Sequence, residues 1–536
     1  MNEKNENDIV EEEQDTKEGI ITAYSAIVEN KRAQPVYNDF IPYEISRGKI
    51  RTHFGGIELL HDHMRENHLE FMMQFFSDVQ SVFSTERSVS TGLSKYVITT
   101  AVADAKADTA FLDSLKHYCK MNDAQLVIMP CESITNSFEN KRAIFDPVFN
   151  DPSIMVVTED TRLNDNFSLC SIQVSAKQIK SITGLSRLGN REGSYVFASP
   201  KQFLEYIPSG NKRGKNYAIM TPGACTLPSY YSETFVSKRL SYIAQSDHKV
   251  GAIIVDIRNE QKFDFRQIQA DEEGSFIDMG TEYNPDGSTS EVSVNVVLGD
   301  LHGDSVDVDA LSYFVDLFSN FKSIDNLFIH DILDGHSISH HIKDIAEKAL
   351  RSINNGDSLE LELEKTFDIA YAIYEELKPK NMHIVKSNHD EFLSRYLEAG
   401  NYVFDPKNHY LSLKIAQALF EDKDVMKHAF ECVGKEIPEN WIFHDRSSSF
   451  TVAGVELAAH GDLGMNGARP SVNSLEKIYG ECVTAHSHTP AIQRGVFRVG
   501  TLTKLDLGYN RGPSSWSHTC GLVYGNGQKQ LINYVP

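Results

Sequence analysis

The sequence predicts an α/β protein, and two observations carry that reading. Short β-branched apolar runs alternate with amphipathic stretches from about Lys95 to the C-terminus, the pattern of helices packed on a largely parallel sheet. Five strings rich in Asp, Asn and His each stand at or just beyond one of those runs, and open α/β sheets collect their chemistry at the carboxyl ends of strands. At 536 residues and 41% hydrophobic composition, two or three cores are expected.

Taken in order, residues 1–18 are charged and aperiodic and are expected to be a disordered acidic tail. Between Ile57 and Val82 the apolar positions Leu59, Leu60, Met64, Leu69, Met72, Phe75 and Phe76 recur at three- and four-residue spacings, which predicts an amphipathic helix inside a helical N-terminal module over 19–92. An α/β accessory domain is expected over 93–290. Its strands are Tyr96–Thr100, Leu126–Met129, Ile154–Val157, Ser194–Ala198, Tyr217–Met220 and Gly251–Ile257, with a helix over Thr109–Lys120. The Pro-Asp-Gly-Ser segment within Tyr283–Ser290 reads as a linker. The third region, 291–536, again alternates: strands at Val292–Leu298, Asn326–Ile329, Met382–Val385, Val455–Ala459 and Cys482–Ala485, and a helix over Val308–Phe318. No internal repeat is apparent.

The net charge of −23 argues against a generally basic nucleic-acid-binding surface, although bound dications and local basic loops can reverse the field in a cleft. Seven cysteines, scattered and never in a CxxC pair, fit free thiols in a reducing cytoplasm. The N-terminus lacks the apolar core of a signal peptide, and no apolar stretch approaches the ~18 residues of a membrane span. A soluble, cytoplasmic protein is expected.

The five strings are Gly299-Asp-Leu-His302, His330-Asp-Ile-Leu-Asp334, Ser387-Asn-His-Asp390, His460-Gly461 and Ala485-His-Ser-His488. Residues two apart in extended chain project to one side, so Asp300 with His302, and His486 with His488, can each grip a cation. A carboxylate such as Asp331 can bridge two cations. Carboxylate, imidazole and amide ligands without thiolate suit divalent ions such as Mn²⁺, and a close pair of such ions is a device for hydrolysing phosphate esters.

In composition and order the strings resemble those of calcineurin-like metallophosphoesterases, including the SbcD-type DNA nucleases. Gly461-Asp-Leu-Gly-Met-Asn-Gly-Ala-Arg-Pro470, Leu505-Asp-Leu-Gly-Tyr-Asn-Arg-Gly-Pro-Ser-Ser-Trp516, Thr221-Pro-Gly-Ala-Cys-Thr226 and Phe265-Arg-Gln-Ile268 look like motifs of tailed-phage members associated with host-DNA breakdown. The resemblance implies a four-layer α/β sandwich over 291–536. It implies one metal held by Asp300, His302, Asp331 and His488, and a second by Asp331, Asn388, His460 and His486. The metals implied are two Mn²⁺, with Mg²⁺, Fe²⁺, Zn²⁺ and Co²⁺ as alternatives. A hydroxide between them would attack phosphorus, and His389 would assist the leaving oxygen as general acid. Three family glycines are replaced here, by His330, Ser387 and Ala485. The phosphoprotein-phosphatase arginine in the second string is absent, since Asp334-Gly-His336 stands there, which favours phosphodiesters and a DNA nuclease.

Around the metals, Asp390 either orients His389 or caps a turn. His336, with His340 and His341, either rims the site or lies on a solvated helix start. Asn466, Arg469 and Arg511 are candidates for substrate phosphate. The basic loop Lys212, Arg213, Lys215, with Arg187, Arg191, Lys238 and Arg239, is the candidate track for a DNA backbone, and Tyr230 and Tyr231 are candidates for base stacking. DNA is the expected substrate; self-association and a phage or host protein partner are further expectations. Two other classes stay open: hydrolysis of a small phosphate ester, and a binding protein with a relic site.

Overall fold

Parallel strands buried on both faces read as continuous Val, Ile, Leu and Phe runs, and such runs build the centre of the C-terminal half. The computed structural model describes residues 89–535 apart from 132–144, 189–192, 209–215, 231–234, 340–344 and a few shorter interruptions. The expected acidic tail and the helix over 57–82 lie outside the described residues. A six-stranded sheet runs in the order Trp441–His444, Asn381–Val385, Ile324–His330, Val294–Val297, His518–Tyr524, Lys529–Tyr534. The first four strands are parallel and the last two antiparallel. Helices Val308–Phe318 and Leu359–Leu377 cover one face, packing Phe314, Phe318, Leu363 and Phe367 against Ile329, Ile384 and Leu522. Their starts are set by Asp307 and Ser358, whose side chains accept from the N–H groups of Ala310 and Leu361 and so satisfy free helix donors.

The front half repeats this plan. Its five-stranded sheet runs Phe263–Gln269, Gly251–Ile257, Lys95–Val102, Gln125–Cys131, Ile154–Val156, with parallel pairing among the last three and antiparallel pairing among the first three. Helix Thr109–Asn122, capped by Asp108, packs Phe111 and Leu115 against Val97 and Ile254.

A ten-stranded sheet joins the halves, and its order is a palindrome. From the outside inward, one half runs Thr451–Val452, Val455–Glu456, Cys482–Thr484, Val496–Arg498, Ala491–Gln493. The other runs Thr161–Asn164, Phe167–Gln173, Ser194–Ala198, Tyr217–Pro222, Gln202–Ile207. The two innermost strands pair antiparallel, Ile492 opposite Leu204. Within its own half each of these residues faces an equivalent neighbour: Leu204 pairs with Met220 and Ile492 with Phe497. Ile98, Met129, Leu204, Val297, Phe328, Val483 and Ile492 belong to one buried cluster, so the inner faces of all three sheets share a core.

The repeat extends to single hydrogen bonds. Thr100 N–H donates to Gly223 O and Cys225 N–H to Thr100 O; Asp300 N–H donates to Gly500 O and Leu502 N–H to Asp300 O. Asp108 N–H reaches Cys225 O as Asp307 N–H reaches Leu502 O, each at 2.8 Å. Both glycines are forced by close approach: a Cβ on Gly223 would lie 2.6 Å from Lys249 O, and one on Gly500 1.9 Å from Ser517 O. The chain thus contains an internal duplication, contrary to the expectation of no repeat. Sequence periodicity misses it because the two copies keep backbone geometry while their side chains differ.

The segment Tyr283–Ser290, expected as a linker, instead forms the bend of a hairpin in which Thr281–Tyr283 pairs with Thr289–Glu291. Strands from both halves of the chain, Gln202–Ile207 and Ala491–Gln493, pair across the ten-stranded sheet. Among the described residues no helix is long and apolar enough to cross a membrane.

Candidate metal centre

Each expected ligand sits where a strand of the C-terminal half gives way to a loop. Val294–Val297 leads to Asp300 and His302, Ile324–His330 to Asp331, and Asn381–Val385 to Asn388 and His389. Val455–Glu456, shorter than the expected Val455–Ala459, leads to His460, and Cys482–Thr484 to His486 and His488. Four of these residues hold left-handed backbone, His302 (φ 45°), Asp331 (52°), His486 (69°) and His488 (55°). Non-glycine residues pay about 1 kcal/mol or more for that conformation and keep it only where the surroundings over-determine it, commonly at functional sites.

The loops converge. Asp300, His302, Asp331 and His488, all buried, offer ligand atoms within 4.8 Å of one another. His488 Nε2 lies 3.0 Å from Asp300 Oδ2, and His302 Nε2 lies 3.2 Å from Asp331 Oδ2. The same Asp331 oxygen is 3.7 Å from His460 Nε2, which in turn is 3.2 Å from Asn388 Oδ1. The His460 and His486 rings are 5.2 Å apart. The first expected ligand set is therefore brought together; of the second, Asp331 and Asn388 lie around His460 Nε2, and His486 stands beside the His460 ring without its ligand atoms joining the cluster.

The donor set fits divalent cations. His302 Nε2 and His488 Nε2 face one another at 3.3 Å, a contact that uses at most one proton, whereas a cation accepts both lone pairs. His460 Nδ1 and His488 Nδ1 are buried with no hydrogen-bond partner, and buried polar atoms are seldom left so. Burial opposes ionisation of Asp300, yet His488 and His460 hold its carboxyl down to about 2. Burial likewise opposes a charged Asp331, but His302 keeps it well below the usual carboxylate range. Burial disfavours the His302 cation as well; Asp331 and Asp334 overcome it and hold the imidazole well above its ordinary value. Burial, with the nearby His460, pushes His486 down to about 4.

Supporting residues tie the loops together. Ser387, one of the replaced glycines, donates its hydroxyl to Asp331 Oδ1 and accepts from the N–H groups of His389 and Asp390. Asp390 accepts from Leu333 N–H at 3.0 Å and Ser387 N–H at 2.9 Å, so it caps the turn and fastens the second loop to the third. Burial and the Asp331 charge push its carboxyl up to about 6. His389 is held instead through Nδ1, 3.1 Å from the Asp334 carbonyl, with its ring 4.6 Å from that of His302. His330, another replaced glycine, is buried with neither ring nitrogen bonded, and burial beside His460 lowers it to about 3.

Sequence reasoning gave no role to Asp334 or Trp516. Asp334 Oδ1 lies 3.2 Å from His302 Nδ1, and its Oδ2 accepts from Ser305 Oγ. It orients a ligand from behind, as outer carboxylates do. With His302 and His389 it also forms a second cluster able to hold an ion. Its only signal was its place three residues after Asp331. The Trp516 ring stands 4.2 Å from that of His488.

The other candidates lie farther out. His336 Nδ1 is 3.5 Å from Asp334 Oδ2, one residue removed from the ligands. Asn466 and Arg469 are exposed, in and just after the short turn Met465–Gly467. Tyr230 is buried, its hydroxyl hydrogen-bonded to His248; it is a core residue and not a stacking platform. Lys212, Arg213, Lys215, Arg191, Tyr231, His340, His341 and Arg511 lie outside the described residues.

Among the described residues the front copy shows no such cluster. Thr100 stands for Asp300 and Val102 for His302. Strand pairing aligns Tyr195–Ala198 with Cys482–Ala485, so Ser199 stands for His486. Lys201, three residues past Ala198 as His488 is past Ala485, is buried with Nζ 2.9 Å from Asp247 Oδ2.

No protein-family model matches the chain, and no solved structure matches it. Over 469 residues, 82% of each chain, it is 28% identical to Protein A1 of Escherichia phage T5. In sequence, then, this duplicated α/β chain with a buried His/Asp cluster is similar across most of its length to a phage protein, Protein A1 of Escherichia phage T5.

Proposed function

We propose that the chain is a dinuclear-metal phosphodiesterase of the metallophosphoesterase type and that its substrate is DNA. The observation that carries the reading is the position of Asp331 Oδ2, 3.2 Å from His302 Nε2 and 3.7 Å from His460 Nε2, at the edge of the buried cluster Asp300, His302, Asp331 and His488. Two divalent cations there, Mn²⁺ by preference, would supply Lewis acidity and lower the pKa of water. Asp300, His302 and His488 would hold one ion and Asn388, His460 and His486 the other, with Asp331 shared. His389 coordinates nothing in this arrangement. Its Nδ1 is engaged by the Asp334 carbonyl, which leaves Nε2 as the nitrogen that can give a proton to the leaving oxygen.

The phosphodiester choice is supported by Asp334-Gly-His336 in place of an arginine-bearing second string and by the similarity to a phage protein. The test is an assay on linear and circular DNA with Mn²⁺. Nucleolysis is expected, abolished by chelator and steeply reduced by salt. DNA left intact, with model esters hydrolysed at a rate indifferent to salt, would establish the small-ester alternative instead. Purified protein that takes up no Mn²⁺ would leave only the relic reading.

A further inference from the structure

Beside the metal centre lies a cleft of about 340 Å³ that neither ligand set uses, large enough for a small-molecule fragment. Tyr217, Phe263, Trp516 and Tyr534 wall it, with the buried Tyr206 among its lining residues. The amides of Asn166, Asn216 and Gln261 and the ammonium of Lys262 complete it. Trp516 connects it to the chemistry, because the indole stands 4.2 Å from the ring of the ligand His488 and Ser517 N–H donates to His488 O at 3.1 Å. The cleft belongs to both copies of the duplication. Asn166, Tyr206, Asn216, Tyr217 and Phe263 come from the front copy, and Trp516 and Tyr534 from the back.

We propose that this cleft is a nucleobase subsite, which seats a base of the strand whose phosphate lies at the metals. The inference rests on the phosphodiesterase reading and deepens it. A group seated against Trp516 lies next to His488, and in a polynucleotide whose phosphate sits at His488 the planar group attached to it is a base. Aromatic faces accept any base by stacking; the Nδ2 groups of Asn166 and Asn216 are engaged by Gln261 O and Trp516 O, and the exposed Gln261 amide offers a donor and an acceptor to the base edge. Lys262, exposed at the cleft, suits a neighbouring phosphate. The front copy, without ligands of its own at the matching positions, thereby forms one wall of the substrate site.

The chain has two tryptophans, so Trp441→Phe leaves Trp516 as the sole reporter, and His389→Ala in the same protein suppresses turnover. With Mn²⁺ present, oligothymidylate is expected to quench Trp516 emission saturably, and an abasic strand of equal length and charge to quench it little. Equal quenching by both strands, or none by either, would overturn the subsite. Independently, Tyr217→Ala should raise KM for an oligonucleotide about tenfold; an equal rise for an abasic strand, which has no planar group to seat, would count against it. The quenching measurement needs no hydrolysis, so intact quenching without nucleolysis would sink the phosphodiesterase reading alone.

Discussion

Asp334 shows how much of the candidate centre depends on residues outside the two proposed ligand sets. Its carboxylate fixes His302 through Nδ1 and its carbonyl fixes His389, so one short segment orients a ligand and the proposed proton donor. Removing such an outer partner typically costs tenfold to a hundredfold in metal affinity. Asp334→Ala is therefore expected to weaken Mn²⁺ binding by about that factor in a calorimetric titration; unchanged affinity would show that His302 needs no such support. His389→Ala should behave differently. Turnover should fall at least about a hundredfold while Mn²⁺ uptake stays at the native stoichiometry, because His389 belongs to neither ligand set. At this scale the sequence was highly legible. Aspartate, asparagine and histidine at strand ends announce themselves by type and spacing. Ser387 did not, since a serine in place of a glycine reads as a loss until its hydroxyl is seen to bond Asp331.

Among the elements, helix Leu359–Leu377 is joined to the turn after the second loop by one carboxylate. Glu362, buried in that helix, accepts from His336 N–H at 2.8 Å and Ser337 N–H at 2.9 Å. Burial pushes its pKa up to about 7, against the pull of those donors. The folded state therefore holds a proton that the unfolded chain releases near its ordinary value. Glu362 contributes most favourably below that value, and its contribution declines as pH rises toward 7. In urea melts of chelated protein, the midpoint of the native chain relative to Glu362→Gln should fall across that window; a difference flat with pH would mean that Glu362 is ionised throughout. Strands with dense apolar runs, such as Gly251–Ile257, and helix Val308–Phe318 fall where the sequence predicts. Val455–Ala459 contracts to Val455–Glu456 because its last residues turn to deliver His460. The Tyr283–Ser290 segment misled because a Pro-Asp-Gly bend serves a hairpin as readily as a linker.

Across the whole molecule the duplication sets the stoichiometry. Thr100, Val102 and Ser199 offer no counterpart to Asp300, His302 and His486, so metal analysis should find about two cations per chain and not four. A value near four would mean that the front copy binds ions elsewhere. This symmetry was illegible in the sequence for a physical reason. What the copies share is a hydrogen-bond pattern, which any residue can supply, and a few forced identities such as Gly223 with Gly500 and Asp108 with Asp307, too sparse to register as periodicity.

The seam at Leu204 and Ile492 bears on how the protein can be cut. A fragment beginning near residue 291 would keep every metal ligand yet bare the edge strand Ala491–Gln493, and an unpaired edge is a template for another strand. Its most similar substitute partner is a second molecule of the same fragment, because each seam strand already occupies the position of the other's twin. Excision would turn an intramolecular pseudo-dimer into a genuine one, visible as a doubled mass in solution and carrying two copies of the buried His/Asp cluster.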